Sequence, residues 1–128
     1  MGYDNKIVDT DAASEAKATP LESIMSHAQK SGRDTGFITN TRVSHASPAA
    51  LYAHSASRGW ECLQDLQGEV DNIPEGVHDI TWQLMNQEPG KSVKVIFGGG
   101  RRSFLPPEKL SKWDYEDSDW DCHGHVNR

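Results

Sequence analysis

Thr41-Arg42-Val43-Ser44-His45-Ala46-Ser47-Pro48-Ala49, with Tyr52-Ala53-His54 and Arg58-Gly59-Trp60 close behind, crowds polar and metal-competent side chains into one short stretch. A guanidinium such as that of Arg58 presents a planar fork of donors that matches two phosphate oxygens at once, which an ammonium cannot do. Phosphoryl transfer needs that charge neutralisation, together with an in-line nucleophile and a metal that holds attacking and leaving oxygens. His45 stands two residues before Ser47, so the two share a face if the loop between them is extended. The box sits between an apolar strand signal, Gly36-Phe37-Ile38-Thr39, and Pro48 at a first helical position. Open α/β sheets place ligands at such seams, beyond the carboxyl ends of strands.

Each of these residues also has a plainer reading. Arg58 falls about three helical turns beyond the seam at 3.6 residues per turn, and from spacing alone it reads best as a surface arginine near a helix end. Ser47 directly precedes Pro48, as an N-cap serine does. A lone histidine such as His45 is more often a hydrogen-bonding residue than a ligand. Gly98-Gly99-Gly100-Arg101-Arg102 fits neither the dinucleotide nor the nucleotide-phosphate glycine pattern, which favours a tight strand-exit turn with positive φ. Cys122, His123 and His125 form a weak soft-metal pattern, since no second cluster stands at finger-like spacing. Tyr52 and Trp60 read as packing residues.

The elements that must position these groups read as α/β. Thr19 and Glu22 flank Pro20-Leu21 like a capping box, and Leu21, Ile24, Met25 and Ala28 repeat at helical spacing up to Gly32. Thr35 to Thr39 reads as a strand, Pro48 to Ser57 as a small helix, and Pro74 to Gln87 as a helix with Val77, Ile80 and Leu84 on one face. Val93 to Phe97, bounded by three glycines, reads as a second strand. Short apolar strands separated by helical segments imply parallel pairing through a right-handed crossover. Residues 1–18 and 107–128 read as irregular loop, the latter carrying Trp113, Tyr115 and Trp120 among acidic residues. No internal repeat is visible.

At 128 residues the chain has the size of one domain, able to bury roughly two-thirds of its unfolded surface. A net charge of -6 opposes nucleic-acid binding, which concentrates lysine and arginine on the phosphate backbone. No stretch has the apolar length of a membrane span, and the first residues lack the basic-then-apolar pattern of a secretory signal. Cys62 and Cys122 could pair in an oxidising compartment, but two cysteines alone do not show it.

The nine-residue box, Ser31-Gly32-Arg33-Asp34-Thr35-Gly36, Gly76-Val77-His78-Asp79-Ile80 and Lys94-Val95-Ile96-Phe97-Gly98-Gly99-Gly100-Arg101 together resemble the alkaline phosphatase family, animal and especially invertebrate members above all. The likeness runs from about Leu21 to Pro106. It implies a three-layer α/β/α sandwich with a mostly parallel central sheet, here incomplete, with 19–106 as the matching core of one partial domain over 1–128. It implies phosphate monoester hydrolysis assisted by zinc and magnesium. Carried over by position, Arg58 clamps the substrate phosphate, Ser47 puts its hydroxyl on magnesium, and His45 stands beside that ion through water, where some bacterial members hold aspartate.

The family's nucleophile is a serine in an Asp-Ser-Ala box that this sequence lacks, because Asp11-Ala12-Ala13-Ser14 has the letters in the wrong order. The zinc ligands are missing too, so the resemblance implies a piece that is inactive alone. Val77-His78 stands where many relatives carry Cys-Gln or Cys-Pro, so their disulfide pattern cannot be transferred. The family is usually dimeric and held at the outer plasma membrane by a lipid anchor; the sequence shows neither a targeting signal nor an anchor. Two other readings stay open: a non-catalytic phosphate-binding module using Arg58 and Arg101, and a nucleotide-binding α/β protein using the glycine run.

Overall fold

In a computed structural model, residues 1–3, 11–106, 109 and 111 are described. Along the chain come α1 (Ala12–Glu15), α2 (Ile24–Lys30), β1 (Gly36–Arg42), α3 (Ala46–Ala49), α4 (Leu63–Glu69), α5 (Ile80–Asn86) and β2 (Val95–Gly99). Single 3-10 turns at Gly90–Ser92 and Arg101–Phe104 flank β2. The strands β1 and β2 pair in parallel, as the sequence implies, and the chain is α/β.

Register runs Gly36↔Val95, Phe37↔Ile96 and Ile38↔Phe97, then slips before Arg42↔Gly99. The irregularity lets Thr39 and Thr41 bond each other, hydroxyl to hydroxyl, at 2.8 Å. Such bulges bend a strand and re-aim the side chains beyond it. Gly98 lies opposite this bend, where a Cβ would come within 2.6 Å of Val43 Cγ1 and 2.7 Å of Thr39 Cγ2. Of the glycine run, only Gly100 takes the expected left-handed conformation, at φ 86°, and turns the chain off β2.

Two buried clusters hold the elements together. Met25, Phe37, Val43, Ala49, Tyr52, Ala53, Ile80 and Leu84 form the larger one, and Ala12, Trp60, Leu66 and Val77 the smaller. Tyr52 and Trp60 are packing residues, as their type implies. Val77, Ile80 and Leu84 all point inward, although Val77 lies before the helix rather than on it.

Several boundaries differ from the sequence reading, each for a local reason. The helix read from Thr19 begins at Ile24, because Leu21 N–H donates to Gly2 O at 2.7 Å and Pro20 bridges Tyr3, so this segment is extended. Ser23, not Thr19, is the cap, accepting from Ser26 N–H at 3.1 Å. The helix read over Pro48–Ser57 shrinks to Ala46–Ala49. Downstream, Gln83 accepts from His54 N–H and donates back to His54 O, and Ser55 donates to Ser57 O. Side-chain bonds of this kind draw backbone away from helical pairing.

The helix read from Pro74 starts at Ile80, after Gly76 at φ 87°, with Asp79 accepting from Trp82 N–H at 2.8 Å. Helix α4 was not foreseen; it carries little apolar periodicity beyond Leu63 and Leu66. Strand β1 starts one residue and ends three residues later than read, β2 runs two residues later at both ends, and α1 adds one helical turn within the stretch read as loop.

Candidate active site

The strand end is fastened before any functional side chain appears. Val43 N–H donates to Gly99 O at 3.0 Å, Tyr52 OH donates to Val43 O at 2.6 Å, and His45 N–H closes a turn on Arg42 O at 3.0 Å. This turn delivers His45 as the cap of α3. Its Nδ1 accepts from Ser47 N–H at 3.4 Å, so His45 takes the capping place that the sequence offers to Ser47. Ser47 is then an exposed residue of the first turn of α3.

Arg58 reaches this place from a turn rather than from the end of a helix. Gly59 N–H donates to Ser57 Oγ at 3.1 Å, and Glu61 N–H donates to Gly59 O at 2.7 Å. The exposed guanidinium lies with Nη2 at 3.3 Å from His45 Nε2. A neutral imidazole can accept at only one nitrogen. The contact from Arg58 and the cap to Ser47 N–H therefore compete, and both are long. Arg58 and Ser47 thus both meet His45 beyond the carboxyl end of β1, Arg58 through its guanidinium and Ser47 through its backbone N–H.

Beneath them lies an arrangement that sequence reasoning missed. Glu61, 3 % exposed, accepts from Arg42 Nε at 2.8 Å and Nη2 at 2.6 Å, and from Ser44 Oγ at 2.6 Å. Burial pushes this carboxyl up, but the bonds from Arg42 and Ser44, with the charges of Arg42 and His45, outweigh it and hold the group below its ordinary range. The available signal was a charged residue directly after the buried Trp60, but nothing in the spacing names its partner.

Arg101 is exposed on the turn after β2, and Arg102 is buried there with Nη2 unpartnered among the described residues. His54 is structural, with Nε2 2.8 Å from Leu21 O and its ring against Tyr3. His78 stacks on Trp82 at 3.6 Å between ring centroids. Cys62 is buried with Sγ 3.3 Å from Asp65 Oδ2, whereas Cys122, His123 and His125 lie outside the described residues.

Among the described residues no three His, Cys, Asp or Glu side chains gather as a metal would require. Magnesium takes near-octahedral oxygen coordination. Ser47 offers one such oxygen and His45 none, so these residues alone do not make a magnesium site. No described helix is long and apolar enough to cross a membrane.

Comparison with known proteins places the sequence among recognisable relatives. The family model described as "Alkaline phosphatase" matches residues 3–124, further in both directions than the motifs alone suggest. The chain is 44% identical over 92 residues to a membrane-bound alkaline phosphatase of Bombyx mori, covering 72% of this chain and 16% of that protein. It is 46% identical over 81 residues to alkaline phosphatase 4 of Drosophila melanogaster, covering 62% of this chain and 13% of that protein. Against the tissue-nonspecific isozyme of Gallus gallus the figures are 37% over 108 residues, 84% of this chain and 20% of the relative. The chain therefore spans a fifth or less of these relatives' length.

Proposed function

The chain belongs to the alkaline phosphatase family, and from that premise we propose that it supplies the phosphate-clamping end of a phosphate monoester hydrolase. Arg58 is the clamp. The observation that supports this is the 3.3 Å approach of its guanidinium to His45 at the carboxyl end of β1, beside the exposed Ser47. When a phosphate arrives, Arg58 exchanges one long contact with an imidazole for two charge-assisted bonds to equatorial oxygens. His45 Nδ1 is then free to accept fully from Ser47 N–H, so anion binding and the cap of α3 reinforce each other.

In this reading Ser47 gives one oxygen ligand to magnesium, with His45 beside the ion through water, and the remaining magnesium ligands and the zinc ligands come from other parts of the enzyme. The metals would polarise the phosphoryl group and the attacking oxygen. No nucleophile is assigned to this chain, and the 128 residues by themselves turn over no substrate. The complete enzyme is read as a dimer at the outer face of the plasma membrane, held by a lipid anchor.

Titration of the chain with inorganic phosphate, followed by phosphorus NMR line width, tests the clamp. A bidentate charge-assisted contact is worth roughly 1.5–3 kcal/mol, so Arg58→Ala should weaken binding about tenfold or more. Equal affinity of the two proteins would sink the assignment. An aryl phosphate assay with both metals tests the rest: turnover abolished by Arg58→Ala would show that a nucleophile has been overlooked. Binding tightened by ATP but not by phosphate would favour a nucleotide-binding protein instead.

A further inference from the structure

We propose that Glu61 is a positioning residue for the phosphate clamp, the brace that fixes where the Arg58 turn stands relative to His45 and Ser47. The proposal rests on the phosphate-clamp reading of Arg58. It concerns a residue that touches neither phosphate nor metal in that reading.

The Arg58 turn is held from two sides. On one side backbone carries it: Ile80 N–H donates to Trp60 O at 2.9 Å and Thr81 N–H to Glu61 O at 3.2 Å, while the Trp60 indole is fully buried and donates to Glu69 at 2.6 Å. These contacts tie the turn to α5 and α4, neither of which carries His45 or Ser47. On the other side the link to the strand end is the Glu61 side chain. It grips Arg42, the last residue of β1, at two points, and Ser44, the residue before His45, at a third.

A buried ion pair is a poor route to stability, since well-packed apolar residues of the same volume often do as well or better. What a two-point guanidinium-carboxylate contact adds is direction, because both groups are planar and the fork fits in one orientation. Ser44 then occupies a further lone pair of Oε2, which leaves Glu61 little freedom to rotate. The two chain segments that meet at the clamp are therefore set by one carboxylate lying beneath them. Small errors of position cost catalytic and binding groups heavily.

The experiment is a double-variant cycle on phosphate affinity in the full 128-residue chain, with inorganic phosphate as the probe and thermal melting recorded alongside. If Glu61 acts by placing Arg58, Glu61→Gln weakens phosphate binding about fivefold when Arg58 is present and by less than about twofold in the Arg58→Ala background. Should Glu61→Gln fail to fold, Ser44→Ala leaves the Arg42 pair intact and removes one bond to Oε2. It should weaken binding about twofold, again only with Arg58 present.

Equal losses in both backgrounds would overturn the proposal, because Glu61 would then act on affinity independently of Arg58. A lowered melting temperature with unchanged phosphate affinity would also overturn it, leaving a purely structural ion pair and an intact clamp. If Arg58→Ala itself changes nothing, the clamp reading fails and this inference falls with it.

Discussion

The carboxyl end of β1 and the body of the sheet it belongs to are built on opposite terms. At the end, Val43, Ser44, Tyr52, Trp60 and Glu61 are buried, and the polar side chains among them are bonded to partners between Arg42 and Glu69. In the body, Phe37 is buried, yet Ile38 is 79 % and Phe97 62 % exposed, and no residue of β2 is buried. The two apolar side chains Ile38 and Phe97 are register partners, so their exposure is one patch. The polar side chains of the strand end are thus satisfied locally, with backbone bonds from Gly99, Ile80 and Thr81 added to them, whereas the sheet offers apolar surface that the described residues do not cover. A strand end can satisfy its own polar side chains where the sheet beside it leaves apolar ones exposed.

Replacing Trp60 gives the largest contrast. Truncating a fully buried tryptophan costs roughly 3–5 kcal/mol, and here it also leaves Glu69 without the indole donor. Trp60→Ala should therefore shift the urea midpoint far down or abolish the transition. If it unfolds no more easily than a variant of the exposed sheet face, the strand end is not the organising core described above.

How much of this was legible depends on the range of the contacts. The parallel strands were readable because β-branched and aromatic residues cluster at Gly36–Thr39 and Val93–Phe97, and Gly100 because a turn off β2 needs positive φ. Arg58, His45 and Ser47 were picked out by the motif they form, not by the helix read over Pro48–Ser57, which stops just short of Arg58. That helix is one turn long, since the Gln83 side chain takes the His54 backbone groups from across the fold. Glu61 stayed hidden for the same reason. Its partner Arg42 lies 19 residues away on another element, and no periodicity links a strand's last residue to a turn after a buried indole.

Two buried glutamates sharpen the comparison through pH. Glu61, at the strand end, sits below its ordinary value of 4.5 because its bonds outweigh burial, so its stabilisation is present above that value and lost as pH falls through the lower folded-state value. Glu15 lies away from this end and accepts from Tyr3 OH at 3.1 Å and from Ala56 N–H. Burial raises its carboxyl above 4.5 despite those bonds and the charge of the N-terminus. A raised acid has the opposite sign: its contribution is present below 4.5 and fades as pH rises through the folded-state value. Unfolding free energy measured against pH should show Glu15→Gln flattening the decline on the neutral side and Glu61→Gln flattening the loss on the acid side. Interchanged effects would mean that bonding does not outweigh burial at the strand end.

The smallest effect on stability belongs to the sheet face, and there solubility carries the information. Phe97 is more than half exposed, so Phe97→Ser removes little burial and should alter unfolding free energy by no more than about 0.5 kcal/mol. The same change interrupts an apolar patch on a two-stranded sheet whose outer edges have no strand partner among the described residues. Exposed edges and apolar strand faces template association between chains. The unaltered chain should therefore associate as its concentration rises, and Phe97→Ser, with Ile38→Thr beside it, should raise the concentration at which light scattering first detects aggregates. Phosphate affinity should stay unchanged, since neither side chain lies at the end of β1. A loss of stability comparable to that of Trp60→Ala would show that the sheet face is packed in solution, and the division between a completed strand end and an uncovered sheet would not hold.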